Sequence, residues 1–231
     1  MTGQNTGIPV AVYSSTDIAN RAILKLGGHR DTPRLADIND TDNSIAVLFK
    51  ETLGWVTKEV LAVPPAFIES VKYNDLSTEN EVVEKADWTY AFDLPSDCIR
   101  VIAQVHQQNR KHKAEFAVMG RVLLTNELTN DDGDGPFIVY VYDNVDPEIY
   151  SPLLTETIAC KLAAEVCLHL GKDPRERQAL MEEYQRLCRV RALELNQSSH
   201  YDRDDDEMGN DDYRKARVSG AYYRPDCWGY C

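Results

Sequence analysis

The period of the hydrophobic pattern changes twice along this chain, and that change limits the possible folds more than any other feature. Apolar residues recur at helical spacing before about residue 62 and after about residue 150. Between these regions lie four segments rich in aromatic and β-branched residues, bounded by turn formers: residues 87–92, 99–105, 115–125 and 136–142. We therefore expect an α+β fold, an antiparallel helical bundle with an inserted small antiparallel β subdomain and an extended C-terminal arm.

This order predicts four regions along the chain. Residues 1–75 form the first half of the helical body, and residues 146–196 form the second half. Residues 76–145 form the inserted β subdomain, and residues 197–231 form the C-terminal arm.

The four predicted helices have recognisable ends. Helix one begins near Ser14 or Ser15 and ends at a Gly-Gly pair, and Asp17 lies at capping-box spacing from Ser14. Helix two covers about residues 43–61 and stops at two prolines. Helix three covers about 151–170, and helix four runs from 174 to about 196. The pattern at 67–73 fits a short helix or a strand, and both remain open.

Composition and charge exclude several classes of function. The chain has 231 residues, 43% of them hydrophobic, which is enough for a substantial core. Its net charge of -13 disfavours a general nucleic-acid clamp, which needs a basic surface. No apolar run reaches the roughly 20 residues of a membrane span. The polar N-terminus lacks signal-peptide features, so we expect synthesis in the cytoplasm and no membrane partner.

The cysteines do not form a disulfide framework in a chain made in the cytoplasm. Cys160, Cys167 and Cys188 lie within helical patterns, and we expect them to be small buried residues.

A partial calcium-loop pattern occurs between two predicted strands. Asn130, Asp132, Asp134 and Gly135 stand at ligand-like positions, but Val141 falls where a bidentate glutamate is needed. Because Asp and Gly are also the residues that tight turns require, a solvated hairpin loop is the favoured interpretation. We predict no metal site and no cofactor.

No catalytic motif is recognisable. The sequence lacks a Gly-x-Ser-x-Gly elbow, a Walker loop and a His-Glu-x-x-His pair. Ser96, Asp97 and Cys98 could be imagined as a nucleophile site, but their place between two strands favours a turn. We predict that the chain is not an enzyme and has no catalytic residues. A metal-dependent hydrolase that uses the aspartate clusters remains a minor alternative.

Two regions have the composition of contact sites. Arg110, Lys111 and His112 form a small basic hairpin tip, which could touch a partner or serve solubility alone. The last 35 residues are first acidic and then basic and aromatic, without periodicity. Aromatic residues and arginine are enriched in binding hot spots, and this segment supplies Tyr222, Tyr223, Arg224, Trp228 and Tyr230.

Several motifs in fixed order carry a resemblance to a known family. They are residues 94–101 (Leu-Pro-Ser-Asp-Cys-Ile-Arg-Val), 118–124, 138–142, 145–150 and the Leu-Ala-Ala at 162–164. Over about residues 16–196 the chain resembles the tail tubular protein A family, the head-to-tail adaptors of short-tailed bacteriophages.

The resemblance implies a structural protein of the virion neck. In that family twelve copies form a connector ring beneath the portal protein, joining it to the tail nozzle, with tail fibres attached near the lower junction. Such a ring helps to retain packaged double-stranded DNA and forms part of the ejection channel, through which DNA passes without specific binding.

The resemblance also implies roles for named residues. The helical bundle would build the ring wall, and the C-terminal arm, with Tyr222, Tyr223, Arg224, Trp228 and Tyr230, would bind the portal. The β subdomain would point towards the tail through tips at Arg110, Lys111, His112, Asp132 and Asp134. The alternative from another class is an acidic soluble protein-interaction module that regulates a phage or host partner.

Overall fold

The computed structural model describes residues 13–27, 33–77, 87–108 and 112–201, with the backbone alone described for 191–201. The chain divides into two compact units, Met1–Arg191 and Ala192–Cys231, and both sheets belong to the first. The described helices are α1 (Ser15–Lys25), α2 (Ser44–Ala62), α3 (Pro152–Val166) and α4 (Pro174–Tyr201), with short 3₁₀ turns at Ile68–Ser70 and Pro147–Ile149. No helix in the described ranges is long and apolar enough to cross a membrane.

The predicted start of α1 is confirmed, whereas α3 ends at Val166, four residues before the predicted end at 170. The Ser14 hydroxyl accepts a hydrogen bond from the Asp17 amide, and the Asp17 carboxylate accepts one from the Ser14 amide, each at 3.1 Å. These two bonds complete the predicted capping box. After α1, Gly27 adopts a φ of 86°, a left-handed conformation that favours glycine.

Helix α3 lies at the centre of the helical layer and packs against both α1 and α2. Eleven of its fifteen residues are buried, including Thr157 and Lys161 as well as its apolar residues. A bundle helix presents one apolar stripe to a shared core, whereas α3 is covered on most of its circumference.

The predicted fold class is therefore wrong. The described residues form a mixed α+β fold with four helices and two antiparallel sheets, and not an antiparallel helical bundle. The physical reason is that the helices share their core with the β-strands. Val141 is buried among the helical side chains, and Ile99 packs against the same cluster.

Seven strands form the two sheets: β1 (Val71–Asp75), β2 (Tyr90–Asp93), β3 (Cys98–Val105), β4 (Lys113–Ala114), β5 (Phe116–Met119), β6 (Val122–Thr125) and β7 (Phe137–Tyr142). The first sheet has the order β1-β7-β3-β4 and the second β2-β6-β5, with antiparallel pairing throughout. The open question at 67–73 is resolved as a 3₁₀ turn followed by β1. The predicted strand at 115–125 is two strands joined by a turn at Gly120.

A second apolar cluster holds residues from both sheets. Its buried members are Leu76, Phe92, Cys98, Leu123, Ile138 and Tyr140. Strand β3 contributes to this cluster through Cys98 and Val101 while Ile99 packs against the helical core. Register shifts in the β3–β7 pairing lie in this part of the strand, so β3 connects the two cores.

Two further expectations concern cysteines and the C-terminus. Cys160 and Cys167 are fully buried as predicted, and Cys188 is half-buried. Helix α4 continues to Tyr201, five residues past the predicted helix end near 196. The rest of the predicted arm lies outside the described residues.

Candidate functional site

Two of the predicted loop tips meet at one end of the first sheet. The Gln107 amide donates to the Thr129 carbonyl at 3.0 Å, and the Gln107 side-chain oxygen accepts from the Asp131 amide at 2.9 Å. His112 lies on this hairpin, with its ring centroid 6.1 Å from that of His106 in an edge-to-face arrangement. Arg110 and Lys111 lie outside the described residues.

The loop that carries Asp132 and Asp134 is closed by its own hydrogen bonds. The Asn130 side-chain oxygen accepts from the Asp134 and Gly135 amides, both at 3.1 Å. Asn130 stands at the first ligand position of the calcium-loop pattern. Its side-chain oxygen is used by these two hydrogen bonds, as expected of a turn. In the described part of the chain, no group of three or more His, Cys, Asp or Glu side chains could hold a metal ion.

This end of the sheet concentrates negative charge. Burial raises the pKa of the Asp75 carboxyl above its ordinary value, and the charges of Asp132, Asp131 and Asp134 raise it further. Such a surface repels phosphate and attracts cationic side chains, so its chemistry suits a basic protein partner.

Ser96 and Asp97 lie in the turn between β2 and β3, and Cys98 begins β3. Asp97 has a structural role. Its carboxylate accepts from the Tyr140 hydroxyl at 3.2 Å and contacts the Lys72 ammonium at 3.1 Å. Burial raises the pKa of the Cys98 thiol, which keeps it protonated and weakly nucleophilic. These contacts tie β1 and β7 to the turn that precedes β3.

A polar network at the junction between helices and sheets was not predicted from the sequence. The Glu69 carbonyl accepts from the Tyr142 hydroxyl at 3.3 Å and from the Asn144 side-chain amide at 3.2 Å. The Glu69 carboxylate accepts from the Ser151 amide at 3.0 Å. The Tyr150 hydroxyl donates to the Asn144 carbonyl at 2.5 Å. This network fixes the 3₁₀ turn before β1 against the connection from β7 to α3.

Large apolar side chains project from the segments that this network holds. Ile68 is 81% exposed and Val145 is 76% exposed, and each directly adjoins a member of the network. Ile149, which precedes Tyr150, is half-exposed. Trp55, also half-exposed, lies one helical turn before Lys58, whose ammonium contacts Asp143 at 2.8 Å. We call Trp55, Ile68, Val145 and Ile149 the junction surface.

Carboxylates lie next to the junction residues along the chain. Asp146 and Glu148 are exposed on the 3₁₀ turn that separates Val145 from Ile149, and Asp143 and Glu69 are half-buried beside it. Lys58 supplies one compensating positive charge through its contact with Asp143. We call Glu69, Asp143, Asp146 and Glu148 the acidic rim, and the hydrogen bonds described above hold the segments that carry these residues.

Exposed apolar side chains, when they form a contiguous patch, are typical of surfaces that contact another macromolecule. The hydrogen bonds limit the loss of conformational freedom on binding, which favours a protein–protein interface. One sequence signal could have identified it, since Val145 and Ile149 flank a proline turn where neither the helical nor the strand pattern buries them. The sequence around Ile68 offers no such signal. Phe67 and Ser70 on either side are buried in the structure, and nothing in the local pattern distinguishes the exposed Ile68 from them.

The predicted contact residues of the C-terminal segment, Tyr222, Tyr223, Arg224, Trp228 and Tyr230, lie outside the described residues. Comparison of the sequence with protein-family models finds no match, and no curated protein matches it either.

Proposed function

We propose that this chain is a structural adaptor of a phage neck, which joins the portal to the tail nozzle. In this role it helps to retain packaged DNA and forms part of the ejection channel. Its copies assemble as a ring, with the twelve-fold symmetry that the resemblance to the tail tubular protein A family implies. It acts through the surfaces that it offers to other proteins.

The junction surface is the observation that carries the proposal. Ile68 and Val145 are among the most exposed of the large apolar side chains in the described residues. Exposing such groups to water is unfavourable, and covering them on assembly gains roughly 25 cal/mol for each Å² of apolar area. An adaptor that functions only in an assembly would use this gain to hold its neighbours.

A ring needs two different faces on each subunit, because head-to-tail contacts close a cyclic assembly. The edge strand β5 supplies a second candidate face, with Val118 and Met119 half-exposed beside the Gly120 turn. We propose that the junction surface and the β5 edge take part in the contacts between subunits.

The net charge of -13 supports a channel role for the assembled ring. Binding of proteins to DNA is driven largely by basic side chains that displace counterions from phosphates. Acidic side chains do not displace counterions from phosphates, so DNA can pass through an acidic ring without being held at fixed sites.

The test is assembly of particles from variants of the full chain. We expect Ile68→Asp and Val145→Asp to fold normally, because both side chains are exposed, but to fail to join portal-containing heads. Leu168→Asp is the control, because Leu168 is another exposed apolar residue, at 48%, but lies after α3. Removal of residues 220–231 is expected to leave the body folded and to weaken attachment to the portal.

Two results would reject the proposal. One is absence of the chain from mature particles, and the other is normal particle assembly by both junction variants. A chain that stays monomeric or dimeric in the presence of portal and binds another phage or host protein would instead support the regulatory interaction module.

A further inference from the structure

We infer that residues 213–218 of one copy (Tyr-Arg-Lys-Ala-Arg-Val) dock on the junction surface of a neighbouring copy. This inference rests on the proposed function, because it names the partner that covers the junction surface within the ring. It concerns a contact between two copies of the chain.

Charge complementarity is the first argument. The segment holds Arg214, Lys215 and Arg217 and no acidic residue, in a chain with a net charge of -13. The rim of the junction surface has the opposite character, with carboxylates on Glu69, Asp143, Asp146 and Glu148 and a positive charge on Lys58. Opposite charges at the rim steer the two partners together and fix their register.

The docking segment also has apolar residues, which suit the exposed apolar side chains of the junction surface. Tyr213 and Val218 stand at its two ends and flank the basic residues. Tyrosine and arginine are both enriched in binding hot spots, and the exposed side chains of Ile68 and Val145 supply the apolar area that such residues cover. A segment that is both apolar and basic can pack on the apolar side chains and pair with the carboxylates of the acidic rim at the same time.

The position of the segment in the chain allows it to reach another copy. Helix α4 ends at Tyr201, and eleven residues, 202–212, separate it from the basic segment. A chain of that length can span up to roughly 40 Å. A contact between the segment of one copy and the body of the next is also heterologous, which is the type of contact that closes a ring.

The assignment leaves the last part of the chain available to the portal. Tyr222, Tyr223, Arg224, Trp228 and Tyr230 all follow the proposed docking segment. One part of the C-terminus would therefore hold a neighbour, while the part beyond it holds the portal.

Photo-crosslinking with the purified full chain tests the contact directly. A photoreactive phenylalanine analogue replaces Tyr213, and the labelled chain is mixed with wild-type chain grown on heavy isotopes. We expect crosslinks from position 213 of the light chain to heavy-chain peptides that contain Ile68 or residues 143–149. The same analogue at Tyr230 is the control and is not expected to capture those peptides.

A charge exchange tests the chemistry of the same contact. Glu148→Lys alters an exposed rim carboxylate, and the triple change Arg214→Glu, Lys215→Glu and Arg217→Glu reverses the segment. We expect each to reduce the yield of the heavy–light crosslink about tenfold, a loss of about 1.4 kcal/mol, and their combination to recover much of it. Circular dichroism of every variant checks that the body remains folded.

Crosslinks confined to a single chain would overturn the inference, as would capture of peptides away from the junction surface or no capture at all. Failure of the combined variant to recover would show that the opposed charges do not meet. Because this experiment uses no portal or particle, its result is separate from the particle assay. The chain could be absent from virions and still show the crosslink, or assemble into particles without it.

Discussion

The helical layer and the sheets of this protein bury polar groups in different ways. In the helical layer, charged lysines lie inside the structure. The Lys25 ammonium, with its side chain 10% exposed, contacts Glu156 at 2.6 Å and Glu183 at 2.7 Å. These contacts link α1 to α3 and α4 through charge pairs.

A second buried lysine has the same role on the opposite side of α3. The side chain of Lys161 is 7% exposed, and its ammonium contacts Glu165 at 2.8 Å and Glu59 at 3.1 Å. Since Glu59 belongs to α2, this lysine joins the two helices. The central helix is therefore held by an ion-pair group on each side.

The described buried polar groups of the sheets are all neutral, whereas the helical layer buries Lys161 together with neutral Asn20, Thr52, Thr57, Thr155 and Thr157. Gln104 on β3 is fully buried, and its side-chain amide donates to the Glu127 carbonyl at 2.7 Å. The buried Thr129 hydroxyl accepts from the Phe137 amide at 2.8 Å. We therefore expect the stability of the helical layer to depend on its ion pairs, and so on pH. We expect the stability of the sheets to depend on close packing of the backbone.

The largest expected loss of stability comes from the close packing around Gly135 at the end of the sheets. A methyl group at Gly135 would lie 1.7 Å from the Leu76 carbonyl oxygen, which is backbone and cannot move without disturbing the end of β1. We expect Gly135→Ala to lower the free energy of unfolding by about 3 kcal/mol, measured by urea denaturation. The control is Gly54→Ala in α2, where nothing lies within 4 Å and the change should be neutral or stabilising. Equal stability of the two variants would contradict this contact.

Loss of a buried lysine is the next largest effect. Lys161→Ala leaves Glu165 and Glu59 without their shared cation, and we expect a loss of about 2 kcal/mol, since the glutamates retain some contact with water. Lys58→Ala is the matched control, because that lysine is exposed and its single contact with Asp143 should contribute at most about 1 kcal/mol. Similar losses in both variants would show that burial does not distinguish the two regions.

Acid should weaken the helical layer through Glu156. Burial alone would raise the pKa of this carboxyl, but hydrogen bonds from Arg21 and Lys25 outweigh it, and its pKa lies below the ordinary value. A lowered pKa contributes stability above the pKa of the unfolded chain, and that contribution disappears as the pH falls below the ordinary glutamate pKa of about 4.3 and through the lowered pKa of the folded chain. We expect Glu156→Gln to flatten this part of the curve of stability against pH. Glu148→Gln, a change at an exposed position, should leave it steep.

The smallest expected effect on stability is an increase, and it comes from a residue of the sheets. The pKa of the exposed Asp75 carboxyl is raised by partial loss of solvation and by the neighbouring aspartates, so its charged form is less favourable than that of an aspartate in water. Asp75→Asn should therefore increase stability slightly, by less than about 0.5 kcal/mol because the site is exposed and screened by solvent. Asp87→Asn is the control. A lower melting temperature for the Asp75 variant would contradict this account.

The sequence was informative where local chemistry decides the structure. The Ser14 capping box depends on residues within one turn of the helix, so it could be predicted. The prolines that follow α2 and open α3 act over the same short range.

The arrangement of the helices could not be predicted in this way. Lys161 looks like part of a solvent-facing side of α3, yet two glutamates, one of them on α2, allow it to be buried. Hydrophobic periodicity does not reveal such pairing, so the pattern indicated a bundle where α3 is in fact central. The junction surface depends on contacts more than seventy residues apart, such as Glu69 with Tyr142, and no local pattern encodes them.

The most direct test of the proposed function is an averaged electron-microscopy image of purified phage particles with a label at the C-terminus of this chain. The account predicts a symmetric ring of label beneath the portal, at the top of the tail. Particles that carry no label, or label that appears away from the neck, would contradict it.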